Sequence, residues 1–405
     1  MKHVMIVPDG MADHPLEGIE GRTPLEAAKT PHMDWLAQQG TVGMVRTIPH
    51  ALDPGSDVSC LSLLGYDPAK YYTGRGALEA MDMRIPLGEN DLVFRMNFVT
   101  EWNGELADYS AGHISSTEGR VLIAFLNRKL GSKEIRFYPG VGYRHIVVIR
   151  DHPELGGVRA HCVAPHEIEG EQLSDHFPVG PGGEFLKKLM LDARLLLQDH
   201  EVNEVRVDLG ENPANMAWLW GQGRCPALPS FESARGMKGA VVAAVQVVRG
   251  IARAAGMRVA DVEGATGYTD TNYRGKGEAA VALAEDHDFV FVHVEAPDEA
   301  GHRGNLKLKM MTIEEIDAHI VAPVRAAAEK RGDMRVTVAC DHATPCALKK
   351  HTRERVPFLA WGPGVPRDEV ERFSEAAAKF SRTRFESGQD LLSFLCEGAG
   401  VGAGV

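Results

Sequence analysis

Three short, almost wholly apolar runs each lead to an acidic residue, and this recurring arrangement limits the possible folds more than any other feature of the chain. Val4-Met5-Ile6-Val7 leads to Asp9-Gly10, Phe289-Val290-Phe291-Val292-His293-Val294 to Asp298, and Val336-Thr337-Val338-Ala339 to Asp341. A fourth run, Val356-Pro357-Phe358-Leu359-Ala360-Trp361, follows His351. Near-continuous apolar runs of this length read as strands buried on both faces, which a mostly parallel sheet requires. Helical patterns at Thr23 to Gln39, Gly239 to Ala255, Gly275 to Glu285, Thr312 to Arg331 and Asp368 to Phe380 supply the cover. The expected core is therefore α/β, a mostly parallel sheet with helices on both faces. Open sheets of this kind bind ligands outside the carboxyl ends of their strands, where these acids fall.

The residues at those ends suit a hard or borderline divalent cation, which takes carboxylate oxygen and imidazole nitrogen. The candidate donors are Asp9, Asp298 with His302, Asp341 with His342, and His351, with Ser56 of Pro54-Gly55-Ser56-Asp57-Val58 among them. Asp298 and His302 stand four apart and share a face if the segment turns as a helix. Asp341 and His342 are adjacent, and on a regular strand they would point to opposite faces. They share a metal only if the strand stops there, and Ala343-Thr344-Pro345 signals that stop. Two metals a few ångströms apart activate a nucleophile and clamp the oxygens of an in-line phosphoryl displacement. A serine hydroxyl in that setting is activated by the metal rather than by a histidine base. Each segment alone is weak, because an isolated Asp-x-x-x-His is more often a surface helix pair. With 17 histidines and 56 acids in 405 residues, chance pairs are common, so order and position carry the reading.

From about residue 85 to 235 the pattern changes. Leu92 to Thr100 and Glu105 to Tyr109 flank Asn103-Gly104, a hairpin-turn signal. A helix over Thr117 to Lys129 follows, then strands at Ile135 to Tyr138 and Tyr143 to Arg150 around Pro139-Gly140. A helix near Glu184 to Gln198 and a strand at Glu204 to Asp208 complete an α+β insertion. The expected organisation is a metal-binding core of 1–84 and 236–405 with a substrate-covering domain of 85–235 between its halves. Trp218 and Trp220 alternate as strand residues do and read as core. The closing run 398–405, alternating Gly with Ala or Val, is expected to fray.

Forty-four basic against 56 acidic residues give a formal charge of -12 with no long basic run, which argues against nucleic acid as a partner. An anionic substrate needs a local positive pocket within this acidic whole, and bound metals supply one. Cys60, Cys162, Cys225, Cys340, Cys346 and Cys396 show no CxxC spacing and read as free thiols. No stretch approaches the roughly 18 apolar residues of a membrane span. With no signal peptide at its start, the chain is expected in the cytoplasm.

Several motifs run from end to end of the chain: Thr23-Pro24-Leu25-Glu26-Ala27-Ala28, Pro54-Gly55-Ser56-Asp57, Leu64-Gly65-Tyr66-Asp67-Pro68 and Tyr72-Thr73-Gly74-Arg75-Gly76. Gly264-Ala265-Thr266-Gly267-Tyr268 and Asp270-Thr271-Asn272-Tyr273 continue the series to the ligand segments. With these, the chain resembles the alkaline phosphatase superfamily and, within it, the cofactor-independent phosphoglycerate mutases of the archaeal type. The resemblance implies that Ser56 accepts the phosphoryl group. It implies one metal on Asp298, His302 and His351 and a second on Asp9, Ser56, Asp341 and His342, with manganese, zinc or magnesium as occupants.

Two departures bear on the substrate. Where archaeal mutases carry Asp-Arg-Arg-Ala-Gly-Arg, this chain has Asp108-Tyr109-Ser110-Ala111-Gly112-His113, and their Gly-Arg-Gly-Pro-Phe-Glu-Ala is Gly74-Arg75-Gly76-Ala77-Leu78-Glu79-Ala80. Lost arginines matter because the guanidinium fork grips carboxylate and phosphate in two places at once. The Tyr-Ser-Ala-Gly-His version is similar to a bacterial branch with a proposed homoserine kinase role. The leading expectation is thus a phosphoglycerate mutase acting on a small phosphorylated substrate, and the alternative an ATP-dependent phosphotransferase using homoserine. Arg75, Arg144 and Lys276, with Asn97 and His113 behind them, are the candidates to hold phosphate or carboxylate; His113 and His145 also have a structural reading. A simple phosphatase or phosphodiesterase ranks third. A sulfatase is disfavoured by the lack of Cys/Ser-x-Pro-x-Arg, and a non-catalytic metal-binding protein by the full set of ligands.

Overall fold

The structure is a computed structural model that describes residues 1–150 and 160–397; the terminal run expected to fray lies outside them. The chain forms two compact units, one of Met1–Tyr72 with the chain from Ala227 onward, the other of Thr73–Pro226. The first unit opens with β1 (Lys2–Pro8) and β2 (Thr41–Val45). The second carries β3 (Leu92–Trp102), β4 (Glu105–Asp108), β5 (Ile135–Tyr138), β6 (Arg144–Ile149) and β7 (Met216–Arg224). The first unit then resumes with β8 (Gly239–Val242), β9 (Arg258–Ala260) and β10 (Phe289–Val294). It ends with β11 (Met334–Ala339), β12 (Val356–Trp361) and β13 (Arg384–Phe385).

Eight strands of the first unit form one sheet in the order β13-β2-β12-β11-β1-β10-β8-β9. All neighbours are parallel except at β12, which runs against both β11 and β2. Every residue of β10 and β11, and all of β1 after Lys2, is buried. Helices on both faces leave no wet side, which is why these segments lack the alternation of a half-exposed strand. Because β1 lies between β10 and β11, three carboxyl ends stand side by side, with Pro8 opposite Val294 and Ile6 opposite Val338. The second unit is α+β: a five-stranded antiparallel sheet in which β3 pairs with β4, β6 and β7. Trp218 and Trp220 of β7 are buried there.

Several expected elements differ. The single helix over Gly239 to Ala255 is instead β8 followed by a helix at Gln246–Ala254. Its Gly-Ala-Val-Val opening is a run that periodicity alone cannot assign, and parallel pairing with β9 and β10 decides it. The expected strand at Glu204 to Asp208 is the end of a helix, Glu201–Asp208. Val205 and Val207, whose alternation suggested a strand, are exposed. What the helix buries is polar: Asn203, bonded to Leu197 O and Ala214 O, and Arg206, bonded to Asn212 O and Ala111 O. The helix expected over Asp368 to Phe380 spans only Glu375–Phe380, with Ser374 capping Ala377 N. Thr23 to Gln39 is broken into Pro24–Ala27 and Pro31–Gln39, since a helix restarts with Pro at its first position.

Glu375 fixes the segment after β1, accepting hydrogen bonds from Thr23 Oγ1 (2.6 Å) and Asp13 N (3.2 Å) while almost fully buried. Burial pushes its carboxyl up from 4.5 to about 7. A carboxyl whose folded pKa is raised stabilises the protein below its unfolded pKa, and that contribution is lost as pH rises through about 7. Glu375→Gln keeps the shape without the charge. It should gain on wild type by up to about 3 kcal/mol between pH 4.5 and 8, measured by urea unfolding at both ends. A pH-independent difference between the two proteins would contradict this.

Candidate metal centre and nucleophile

The three adjacent carboxyl ends each deliver donors to one buried place. Asp9 leaves β1 and is followed by Gly10 at φ +61°, where a Cβ would stand 2.6 Å from both Asp298 Oδ1 and Thr344 Oγ1. Only glycine lets these segments approach so closely. Gly10 N donates to Asp341 Oδ1 (3.1 Å), tying the first segment to the third. Asp298 and His302 lie on the short helix Ala296–His302 after β10, and one helical turn brings His302 Nε2 to 3.3 Å from Asp298 Oδ2. Asp341 and His342 follow the end of β11, where the Cys340 thiol accepts from Ala12 N (3.2 Å) and donates to His342 O (2.9 Å). The strand does stop, and both side chains enter the same cluster.

Ser56 heads the helix Ser56–Leu63, which starts after Gly55. Its hydroxyl donates to Asp9 Oδ2 (3.0 Å) and lies 3.3 Å from His342 Nε2. One turn further, Ser59 Oγ donates to Asp341 Oδ2 (2.9 Å). Asp57 accepts from Tyr72 Oη (2.6 Å) and from its own neighbour Val58 N, steadying the start of the helix. His351 reaches the cluster from the loop before β12, with Nε2 2.9 Å from His302 Nε2 and 3.3 Å from Asp298 Oδ1. Donor atoms of Asp9, Asp341 and His342 lie within 4.8 Å of one another, and so do those of Asp298, His342 and His351. His342 stands between the two sets.

The hydrogen bonds fix which imidazole nitrogen is available. His302 Nδ1 faces Lys349 O (3.0 Å), His351 Nδ1 faces Pro54 O (3.2 Å), and His342 Nδ1 lies 3.3 Å from Thr344 Oγ1, whose proton goes to Asp298. Each Nδ1 therefore carries hydrogen, and each Nε2 turns a lone pair inward, as in metal sites whose ligands are oriented from behind. Lone pairs 2.9 Å apart repel unless a cation sits between them. The donors thus fit divalent metals. Without one, a proton takes that place: hydrogen bonding to Asp298 lifts His302 to about 9. Burial opposes ionisation of Asp298, but hydrogen bonds from His302 and His351 outweigh it and hold its carboxyl well below the usual range. Asp9 moves the other way, raised by burial and then by the charges of Asp341, Asp298 and Glu295.

Residues 37–203 match the family described as 2,3-bisphosphoglycerate-independent phosphoglycerate mutase. The enzyme of that name from Methanosarcina mazei is 44% identical over 98% of this chain and 99% of its own length. A probable one from Geobacter sulfurreducens is 45% identical over 98% and 100%. The chain belongs to this family. Among solved structures, the cofactor-independent phosphoglycerate mutase of Thermoplasma acidophilum aligns with a TM-score of 0.67 at 33% identity, over 98% of this chain and all of that one. The PH0037 protein of Pyrococcus horikoshii aligns at 0.83 and 31%, over 98% and 96%.

Of the candidate substrate residues, Arg75, Asn97, His113 and Arg144 lie in the second unit and Lys276 in the first. Arg75 begins the helix Arg75–Asp82 and bonds Glu79 Oε1 (3.0 Å). Arg144 on β6 is opposite Asn97 on β3, and Asn97 is held by Trp220 Nε1 (3.0 Å). His113 has φ +51° and its ring is 6.2 Å from that of Tyr143. His145, by contrast, is buried, with Nδ1 accepting from Gly140 N (3.0 Å). Lys276 is only 1% exposed, its ammonium donating to His293 O (3.3 Å), and burial lowers it to about 8 against the pull of Glu295.

Sequence reasoning missed Arg95, which bonds Glu79 Oε2 (3.0 Å) and stacks 4.1 Å from the Trp220 ring. It also missed His293, fully buried with Nε2 3.1 Å from Asp9 Oδ2. A charged or imidazole residue inside an apolar strand was the available signal for both. The hydrogen bond to Asp298 raises His302 to about 9, so a metal bound at its Nε2 would have to displace a proton. Apparent Mn²⁺ affinity should then rise at least about tenfold per pH unit between pH 6.5 and 8.5, and more steeply where His351 and Asp9 also give up protons. Calorimetric titration at several pH values checks this, and a flat profile would remove His302 from the ligands.

Proposed function

We propose that the protein interconverts 3- and 2-phosphoglycerate without bisphosphoglycerate, through a phosphorylated Ser56. The observation that carries this is the place of Ser56 Oγ, 3.0 Å from Asp9 and 3.3 Å from His342 at the head of a helix. The full-length likeness to proteins bearing the mutase name supports it. Asp298, His302 and His351 would hold one divalent ion and Asp9, Ser56, Asp341 and His342 a second, with manganese foremost and zinc or magnesium as substitutes. Such ions supply Lewis acidity to the hydroxyl and to the phosphoryl oxygens.

In the forward half, Ser56 Oγ attacks phosphorus and the bond to the substrate's 3-oxygen breaks. The serine proton passes along the hydrogen bond to Asp9 Oδ2, which returns it when Ser56 is restored, while the departing 3-oxygen takes a proton from solvent and the 2-hydroxyl later gives one back. The bound glycerate turns, its 2-hydroxyl attacks the phosphoserine, and Ser56 is restored. The helix that Ser56 heads places the positive end of its dipole at this serine. Arg75, Arg144, Asn97 and His113 would grip carboxylate and phosphate. Three guanidiniums, those of Arg75, Arg95 and Arg144, act on the single Glu79 carboxyl and hold it ionised despite its burial. We place the enzyme in the cytoplasm as a glycolytic activity; among the described residues no helix is long and apolar enough to cross a membrane. Nothing in the comparisons supports the homoserine alternative.

Purified protein with Mn²⁺ should convert 3-phosphoglycerate to the 2-isomer with no bisphosphoglycerate added. Consumption of ATP only when homoserine is present, without isomerisation, would overturn the proposal. Ser56→Ala should lose turnover while its unfolding midpoint stays close to wild type, since a small side chain leaves a site rather than the core. Arg144→Ala removes one charge-assisted contact worth about 2–4 kcal/mol in a desolvated site. Its kcat/KM should fall by roughly 30- to 1000-fold. An unchanged value in steady-state assays would take Arg144 out of the substrate site.

A further inference from the structure

Lys309 takes no part in the chemistry above, yet no part of its side chain reaches solvent. It lies on the helix Leu306–Ile316, seven residues beyond His302. An ammonium has three N–H donors, and here each finds an acceptor: Asp13 Oδ2 at 2.8 Å, Thr344 O at 2.9 Å and Ala12 O at 3.2 Å. These acceptors belong to the other two donor segments. Ala12 and Asp13 continue the segment that starts with Asp9, and Thr344 continues that of Asp341 and His342. The helix carrying Lys309 follows directly on that of Asp298 and His302. One buried cation thus ties together all three segments that leave the central strands.

The ties reach the donors themselves. Thr344, whose carbonyl Lys309 holds, gives its hydroxyl proton to Asp298 Oδ1 and lies 3.3 Å from His342 Nδ1. Asp13 accepts from Cys346 N (3.0 Å) and, through its own N–H, bonds Glu375. A buried ion pair is a weak source of net stability, because desolvating both charges offsets most of their attraction. Its stronger consequence is geometric: a three-way saturated ammonium leaves the segments no freedom to slide. The nearby carboxylates of Asp9, Asp298, Asp341 and Glu295 repel one another, so their spacing needs such an anchor.

We propose that Lys309 is a positioning residue, a resident cation that presets the spacing of the three donor segments and thereby sets metal affinity. The inference rests on the reading above that these donors hold divalent ions. Lys309→Gln, stripped with chelator and titrated calorimetrically with Mn²⁺, should bind roughly 10- to 100-fold more weakly, the range expected when a ligand's supporting contact is lost. Excess Mn²⁺ should restore most of kcat, while KM for 3-phosphoglycerate stays near wild type. A folded variant with wild-type Mn²⁺ affinity and only a lowered Tm would make Lys309 a structural ion pair and overturn the proposal. If Lys309→Gln does not fold, Asp13→Asn/Lys309→Gln removes both buried charges and carries the same test. Wild type that binds no Mn²⁺ would sink the metal reading and this inference together. Wild type that binds Mn²⁺ without isomerising phosphoglycerate would sink only the mutase reading, since the affinity comparison needs no substrate.

Discussion

Carboxylates crowded where water is scarce set the terms for the rest of this structure. Asp9, Asp298 and Asp341 are at most 4% exposed. Two like charges about 5 Å apart repel by roughly 3 kcal/mol at an effective dielectric of ~20. Three parallel strands in the order β11-β1-β10 force this crowding, because their carboxyl ends lie level and each is followed by an acid. The surroundings answer it with cations and donors: Lys309 beneath the segments, Ser56, Ser59 and Gly10 N on the oxygens, and imidazoles within reach. What these leave uncompensated shows in Asp9, whose carboxyl resists ionisation until further positive charge arrives.

The histidines divide by what stands behind them. His302 and His351 have backbone carbonyls at Nδ1 and a carboxylate in front, and hydrogen bonding to Asp298 raises both despite their burial. Burial, opposed by the Asp341 charge and helped by that of Lys276, lowers His293 to about 4 and keeps it neutral beside Asp9. A neutral imidazole there supports the carboxylate without adding charge. The ammonium of Lys276, which the sequence suggested as a substrate contact, binds the backbone carbonyl of this same His293. Its position makes it a partner of the strand rather than of solvent.

The legible parts of the chain were those where one physical demand dominates. A strand buried on both faces must be apolar throughout, so β1, β10 and β11 stood out together with the acids after them. Illegible parts mix demands. The helix Glu201–Asp208 hides because its buried residues are polar and its valines exposed, the reverse of the usual pattern. β8 is four residues long and runs almost at once into a helix, so no period can develop. Arg95 and His293 interrupt apolar strands and were passed over as single exceptions, although a buried polar residue needs a partner and so marks a place where something must meet it.

The same logic bears on the arginines that the archaeal motif has and this chain lacks. Asp108 still builds the turn, accepting from Ser110 N (2.7 Å), Ser110 Oγ (2.7 Å) and Gly112 N (2.6 Å). Ser110 is buried within that turn, so its position does not face the solvent from which an anion would come. His113, exposed and in the left-handed region, does face it. On the neighbouring strands, Arg95 is locked between Glu79 and the Trp220 ring, with Arg75 sharing that carboxylate and Arg144 close enough to act on it. A guanidinium held this way loses little freedom when it meets an anion, whereas one on a flexible turn must be ordered first. Arg95 on β3 is thus fixed in advance, whatever the turn at 108–113 supplies.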